Sequence, residues 1–115
     1  SIVFIGSISA HIGVAGVAGY SGTKAALAAS ARCLALEVSK RRIRVNTVAP
    51  GIVETEMAAA GSEMLGETME RQRTDYPLGF GKPEDVAHLA AFLLSDASRW
   101  ITGTSLVIDG GHTIG

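Results

Sequence analysis

Apolar runs and chain breakers alternate along this sequence with the spacing of strands and helices. Ile2 to Ile5 is a short continuous apolar run closed by Gly6 and Ser7, the pattern of a strand buried on both faces. A loop carrying Gly13, Gly16 and Gly19 follows, and from about Tyr20 to Lys40 the pattern predicts a helix. Six alanines between positions 25 and 35 raise helix propensity and leave a slim face that another element can approach closely. Arg41 and Arg42 close that helix. Ile43 to Ala49 predicts a second strand, stopped by Pro50-Gly51. Residues 52–79 mix small, acidic and Met residues and predict a short helix or two. Pro83, with Glu84 and Asp85 beside it, marks a helix start: proline needs no N–H there, and carboxylates meet the positive end of the helix dipole. Val86, Leu89, Ala90, Leu93 and Leu94 form its apolar stripe. Leu106-Val107-Ile108 predicts a third strand, ended by Asp109-Gly110-Gly111.

Strands separated by helices imply an α/β fold with a parallel sheet and right-handed crossovers. Three strands and their helices make half of a doubly wound sheet. The first strand would then show an unpaired apolar edge, which is an aggregation hazard. The expectation is therefore that residues 1–115 are the carboxy-terminal part of one larger domain, whose amino-terminal half lies upstream.

Composition narrows the partners. The 115 residues suffice for one small domain. They are 47% hydrophobic and 18% charged with a net charge of −1, which gives no reason to propose a nucleic-acid partner. The longest apolar stretches are broken well short of the roughly 20 residues of a spanning helix, so no membrane partner is expected. One cysteine, Cys33, allows no internal disulfide and fits a reducing, cytoplasmic location.

Candidate chemistry gathers at the expected carboxyl ends of the strands, where open α/β sheets bind ligands. Ser7 follows the first strand. Tyr20 and Lys24 stand at i and i+4 near the start of the next helix, so both lie on one face. Asn46-Thr47-Val48-Ala49-Pro50-Gly51 ends the second strand on the same rim, with Thr55 just beyond.

As an ordered set these residues resemble the short-chain dehydrogenase/reductase family. Its active-site Ser matches Ser7, and its Tyr-x-x-x-Lys motif matches Tyr20-Ser21-Gly22-Thr23-Lys24. Its Arg-Val-Asn-x-x-x-Pro-Gly strand end is Arg44 to Gly51, continuing to Thr55. Pro77-Leu78-Gly79, Gly81 to Val86, and Ile101-Thr102-Gly103 through Asp109-Gly110-Gly111 resemble its later signatures. The resemblance implies the carboxy-terminal half of a Rossmann-type domain and an oxidoreductase that interconverts a carbonyl and an alcohol, using NAD or NADP. The pattern is most similar to the 3-oxoacyl-carrier-protein reductase-like group. By the same resemblance, Tyr20 is the acid/base and Lys24 its electrostatic partner, which also holds the nicotinamide ribose. Ser7 holds the substrate oxygen. Tyr20, Pro50, Gly51, Ile52, Val53 and Thr55 lie by the cofactor as well, with the backbone around Ile52 and Val53 meeting the nicotinamide carboxamide. Family members are usually tetramers or dimers, so a homo-oligomer is expected, through the Ala-rich helix and the last helix with its following strand.

These assignments have independent chemical reasons. Carbonyl reduction needs a proton donor at oxygen as hydride reaches carbon, and an unassisted phenol is a reluctant acid–base group near neutral pH. An ammonium about 5 Å from a phenolate contributes roughly 3 kcal/mol at an effective dielectric near 20. A serine hydroxyl beside the substrate oxygen is a preorganised donor where negative charge develops.

Other residues read more plainly. Gly13, Gly16 and Gly19 have the wrong spacing for a dinucleotide fingerprint and read as a flexible wall of the active site. His11, His88 and His112 show no metal-ligand spacing, so no metal is expected; His88 reads as a helix-face residue, and contact of His11 with substrate is a secondary reading. Cys33 reads as packing within its helix. Glu54 and Glu56 belong to a lid running from about Glu54 to Phe80. Met57, Met64 and Met69 either line a substrate pocket or pack that lid. Phe80 stands where the family often carries Arg after Pro-Leu-Gly. Two rival readings remain: a non-catalytic half-sheet that self-associates through its first strand, and a cofactor-binding sensor without turnover.

Overall fold

A computed structural model describes residues 1–64 and 69–114, with only the backbone of Met64. The side chain of Met64 therefore lies outside the described residues, as does part of the expected lid. Among those described, three parallel strands form one sheet in the order β1-β2-β3: β1 is Ile2–Ile5, β2 is Val45–Pro50 and β3 is Ser105–Ile108. Ile2 pairs with Val45, and Thr47 pairs with Ser105. Among the described residues four α-helices connect them: α1 (Ala18–Val38), α2 (Glu56–Met64), α3 (Met69–Arg73) and α4 (Pro83–Leu94).

The central strand carries the core. Every residue from Val45 to Ala49 is buried, and because successive side chains point to opposite faces, both faces must be covered. Helix α1 covers one of them with its slim side, where Ala31 and Ala35 pack on Val45, with Phe4, Leu34 and Val38 around them. Helix α4 packs against β1 and β2 and buries Leu93 completely. Leu94, read as part of the same stripe, is instead exposed.

β1 departs from the pattern of its sequence. Ile2 and Ile5 stay 38% and 48% exposed, because β1 has a neighbour on one side only. The strand is as apolar as one buried on both faces, yet this chain supplies only part of its cover.

Helix boundaries also differ from expectation, with local reasons. α1 starts at Ala18, so Gly19 lies inside its first turn and not in the loop. At its far end a 3-10 turn, Ser39–Arg41, follows, and Arg42 takes the left-handed conformation at φ 57°, its N–H bonded to the Ser39 carbonyl. β2 runs through Pro50. Thr47 and Gly51 donate to β3-side carbonyls, whereas Val48 accepts from Gly6 on the β1 side. The missing N–H of Pro50 thus faces β1 where that strand has already ended, so it costs no ladder bond.

The Arg-Val-Asn signature is explained by stitching. Arg44 donates to the carbonyls of Ile101 and Ser95 at 3.2 and 3.0 Å. Asn46 donates to Ile101 O and accepts from Thr104 N, so both side chains fasten β2 to the loop that enters β3. At the amino end of α4, Asp85 Oδ2 accepts the Lys82 N–H at 2.7 Å, which satisfies a donor at the helix start.

One core polar atom is left over. Thr47 is buried, and among the described residues its Oγ1 has no hydrogen-bond partner. A buried hydroxyl without a partner is destabilising. The isosteric Thr47→Val substitution should therefore raise stability by about 1 kcal/mol, read as a higher urea midpoint at unchanged slope; a lowered midpoint would mean that the hydroxyl has a partner.

Candidate active site

Ser7, Tyr20 and Lys24 meet around the carboxyl end of β1. The chain leaves that strand at Gly6, whose N–H donates to Val48 O at 2.7 Å. A Cβ at Gly6 would lie 2.8 Å from Thr47 Cγ2 and 3.1 Å from Val48 O, so only glycine lets the chain hug β2 here. Ser7 follows in extended conformation and caps the 3-10 turn Ile8–Ala10. Its Oγ accepts the Ser9 N–H at 3.2 Å and lies 2.9 Å from Ser9 Oγ.

Lys24 and Tyr20 come from the first turns of α1. The Lys24 ammonium donates to Ile5 O at 3.0 Å and sits 5.6 Å from the centre of the Tyr20 ring. An ammonium has three donors, so the Ile5 bond leaves others available on the rim. The Tyr20 side chain is open to solvent. Among the described residues no hydrogen bond joins Ser7 to Tyr20.

The Pro50–Thr55 stretch continues that rim, with its backbone largely engaged within the protein. Gly51 N–H donates to Ile108 O at 2.9 Å, Ile52 O accepts from Gly81 N at 3.0 Å, and Glu54 N–H donates to Gly81 O at 2.9 Å. Ile52 N–H donates to the Tyr76 hydroxyl at 3.1 Å. Among the described residues the Val53 N–H has no partner. A Cβ on Gly51 would come within 2.9 Å of Tyr76 Cε1 and 3.0 Å of Asp109 Cβ. The glycine is thus required by packing inside the protein, a reason the sequence alone did not show. Thr55 caps α2: its Oγ1 accepts the Ala58 N–H at 3.2 Å and donates to Val53 O at 3.3 Å.

Behind this stretch lies a cluster that the sequence did not reveal. The Tyr76 ring stacks on His112 with centroids 4.3 Å apart and meets Phe80 edge-on at 5.1 Å. The Arg73 guanidinium lies 4.8 Å from the Phe80 ring centre and pairs with Glu54. The position lacking the family arginine is therefore filled by a buried Phe80 that receives a cation from Arg73. Burial pushes the Tyr76 phenol above its usual range; the charges of Asp109 and Asp75 add to this, against the Ile52 hydrogen bond. The one signal available in sequence was the unusual density of aromatic and charged residues between Arg71 and Phe80.

Several secondary readings change. Cys33 is exposed, so it does not pack the core. His11 is tied to β3, its Nε2 3.1 Å from Ser105 Oγ. Met57 lies out in solvent. A cleft of about 360 Å³ lies between the Ile52-Val53 stretch, α4 and the Asp109-Gly110 turn. None of Ser7, Tyr20 and Lys24 lines it, and its walls are mostly apolar.

This arrangement fits a nicotinamide group, since it sets an ammonium, a phenol and a hydroxyl on one rim beside an unpaired backbone donor. Comparison with known proteins gives the class. The chain belongs to the short-chain dehydrogenase/reductase family: residues 1–113 match the family model described as enoyl-(acyl carrier protein) reductase. It is 44% identical over 114 residues to the 3-oxoacyl-[acyl-carrier-protein] reductase FabG of Chlamydia pneumoniae, covering 98% of this chain and 45% of that protein. A short-chain dehydrogenase family protein from Francisella tularensis superposes with a TM-score of 0.89 at 34% identity, over 98% of this chain and 50% of that one. A 4-hydroxyisoleucine dehydrogenase solved with NADH and succinate gives a TM-score of 0.86 at 35% identity, over 98% and 46%. The chain thus spans about half the length of the relatives it matches.

Asp109 ends β3, and its carboxylate accepts the N–H of Gly111 at 3.0 Å and of Thr113 at 2.8 Å. Burial pushes this carboxyl up, yet the bonds from Thr113 and Gly111 and the nearby His112 outweigh it and hold the group below its ordinary range. A lowered folded value means stabilisation that is full above the unfolded value near 3.9 and lost as pH falls through the folded one. Asp109→Asn should accordingly lower the urea midpoint at pH 7, with the gap to the parent closing below about pH 4. A gap of the same size at pH 3 would contradict this role.

Proposed function

We propose that residues 1–115 are the carboxy-terminal half of a Rossmann-type oxidoreductase domain that interconverts a carbonyl and a secondary alcohol with NAD or NADP. The observation that carries this reading is the placement of the Lys24 ammonium between the Tyr20 ring and the end of β1, on the rim that also carries Ser7. Coverage of about half of each relative supports the half-domain reading, as does the bare outer edge of β1.

When bound, the dinucleotide supplies or accepts hydride at the substrate carbon. Tyr20 gives its phenolic proton to the carbonyl oxygen in reduction and takes it back in oxidation. Lys24 stabilises the negative charge that Tyr20 carries after proton transfer, and its remaining donors hold the nicotinamide ribose. Ser9 N–H occupies an acceptor site on Ser7 Oγ, which leaves the Ser7 hydroxyl proton for the substrate oxygen. Val53, through its N–H, and the neighbouring Pro50, Gly51, Ile52 and Thr55 form the wall against the carboxamide.

The substrate is a small-molecule carbonyl or alcohol. The working form is a homo-oligomer. Its support is the exposed apolar side chains outside the core: Leu36 on α1, Phe92 and Leu94 on α4, Trp100, and Val107 on β3. Among the described residues no helix is long and apolar enough to cross a membrane. An exposed, unpaired Cys33 fits a reducing compartment, which we read as the cytoplasm.

The test is Tyr20→Phe in the full-length gene product. General acid–base catalysis contributes about 10²–10⁴-fold, so kcat should fall by that order while NADH or NADPH binding, followed by fluorescence, stays within about twofold. Turnover equal to the parent would overturn the assignment.

A further inference from the structure

The Tyr76 ring stands directly behind the turn that faces the cofactor, and nothing in the Ser-Tyr-Lys chemistry uses it. Its hydroxyl accepts the Ile52 N–H at 3.1 Å, and its Cε1 fills the space where a Gly51 side chain would begin. The ring is fixed on two sides, by His112 stacked at an interplanar angle of 8° and by Phe80 edge-on at 80°. His112 is itself oriented, because its Nδ1 lies 3.0 Å from Asp75 O. On the far side of the turn, Glu54 is held by Arg73, whose guanidinium also covers Phe80. The two ends of the turn are thus gripped by one connected cluster.

The backbone shows what this grip achieves. Both polar groups of Ile52 are drawn inward, its N–H to Tyr76 and its carbonyl to Gly81. Alternate residues of an extended stretch point opposite ways, so holding Ile52 inward turns the Val53 N–H the other way. That is the N–H without a partner among the described residues. We propose that Tyr76 is a positioning residue for the nicotinamide: it holds Ile52 inward so that Val53 presents its N–H to the carboxamide. This rests on the function proposed above.

The full-length gene product carrying Tyr76→Phe tests it, since this change keeps the ring stack and removes only the acceptor for Ile52. Two dissociation constants are compared: that of NADH or NADPH, whichever the parent binds, and that of ADP-ribose or its 2′-phosphate, which lack nicotinamide. Loss of one buried hydrogen bond predicts about a tenfold weaker dinucleotide, with ADP-ribose affinity unchanged. Equal affinity of variant and parent for the dinucleotide overturns the proposal, and so does an equal loss for both ligands, which would mark a merely structural role. If the parent binds neither ligand, the functional reading itself falls, a different result from either. Should Tyr76→Phe fail to fold, amide exchange of Ile52 in the unaltered protein decides: protection supports the clamp, and exchange at the rate of an open amide overturns it.

Discussion

The hydrogen bond from the Lys24 ammonium to the Ile5 carbonyl is the contact on which the site depends. It ties the first turns of α1 to the last residue of β1, so the residue that carries the charge also fastens the helix to the sheet at this rim. With Lys24 so placed, Tyr20 at i−4 falls on the same helix face with its ring beside the ammonium. Gly6 fixes the other half of the geometry, because only a residue without Cβ lets the chain leave β1 against Thr47 and Val48 and deliver Ser7 to the same rim. The slim alanine face of α1 makes this possible at a distance: Ala28, Ala31 and Ala35 are buried, and bulkier residues there would lift the helix off the sheet.

The second wall of the site is built differently. The stretch from Gly51 to Glu54 is held by groups brought from far along the chain: Ile108, Gly81, Tyr76 and Arg73. Asp109 fastens the segment that carries His112, and His112 stacks on Tyr76. Substitutions at the carboxy-terminal end of the chain can therefore reach the Gly51–Glu54 backbone without touching it directly. At the position without the family arginine, Phe80 packs inward against Tyr76, and Arg73 at the end of α3 lies over its ring.

The strand–helix alternation was legible in the sequence because each strand is a short apolar run bounded by glycine or proline, and because Pro83-Glu84-Asp85 marks a helix start on local chemistry alone. The family membership was legible too, since Ser7, Tyr20-x-x-x-Lys24 and Arg44 to Gly51 fall in one order. What escaped was set by distant contacts. The clash that makes Gly51 obligatory comes from Tyr76 and Asp109, and no local pattern announces it. The exposure of Cys33 and Leu94 depends on which face of each helix the sheet meets; for Cys33, alanine-rich α1 gives that face little contrast, and Leu94 is the last residue of α4. The half-exposed β1 follows from its place at the edge of the sheet, which a run of apolar residues does not announce.

The central claim is that the Lys24 ammonium makes the rim reactive. The direct measurement is NADH or NADPH consumption by the full-length gene product with a carbonyl substrate, comparing the parent with Lys24→Met at matched thermal midpoints. The account predicts a fall in turnover of about a hundredfold or more, in line with the loss of an assisted acid–base group. A Lys24→Met variant that turns over as the parent does would contradict it.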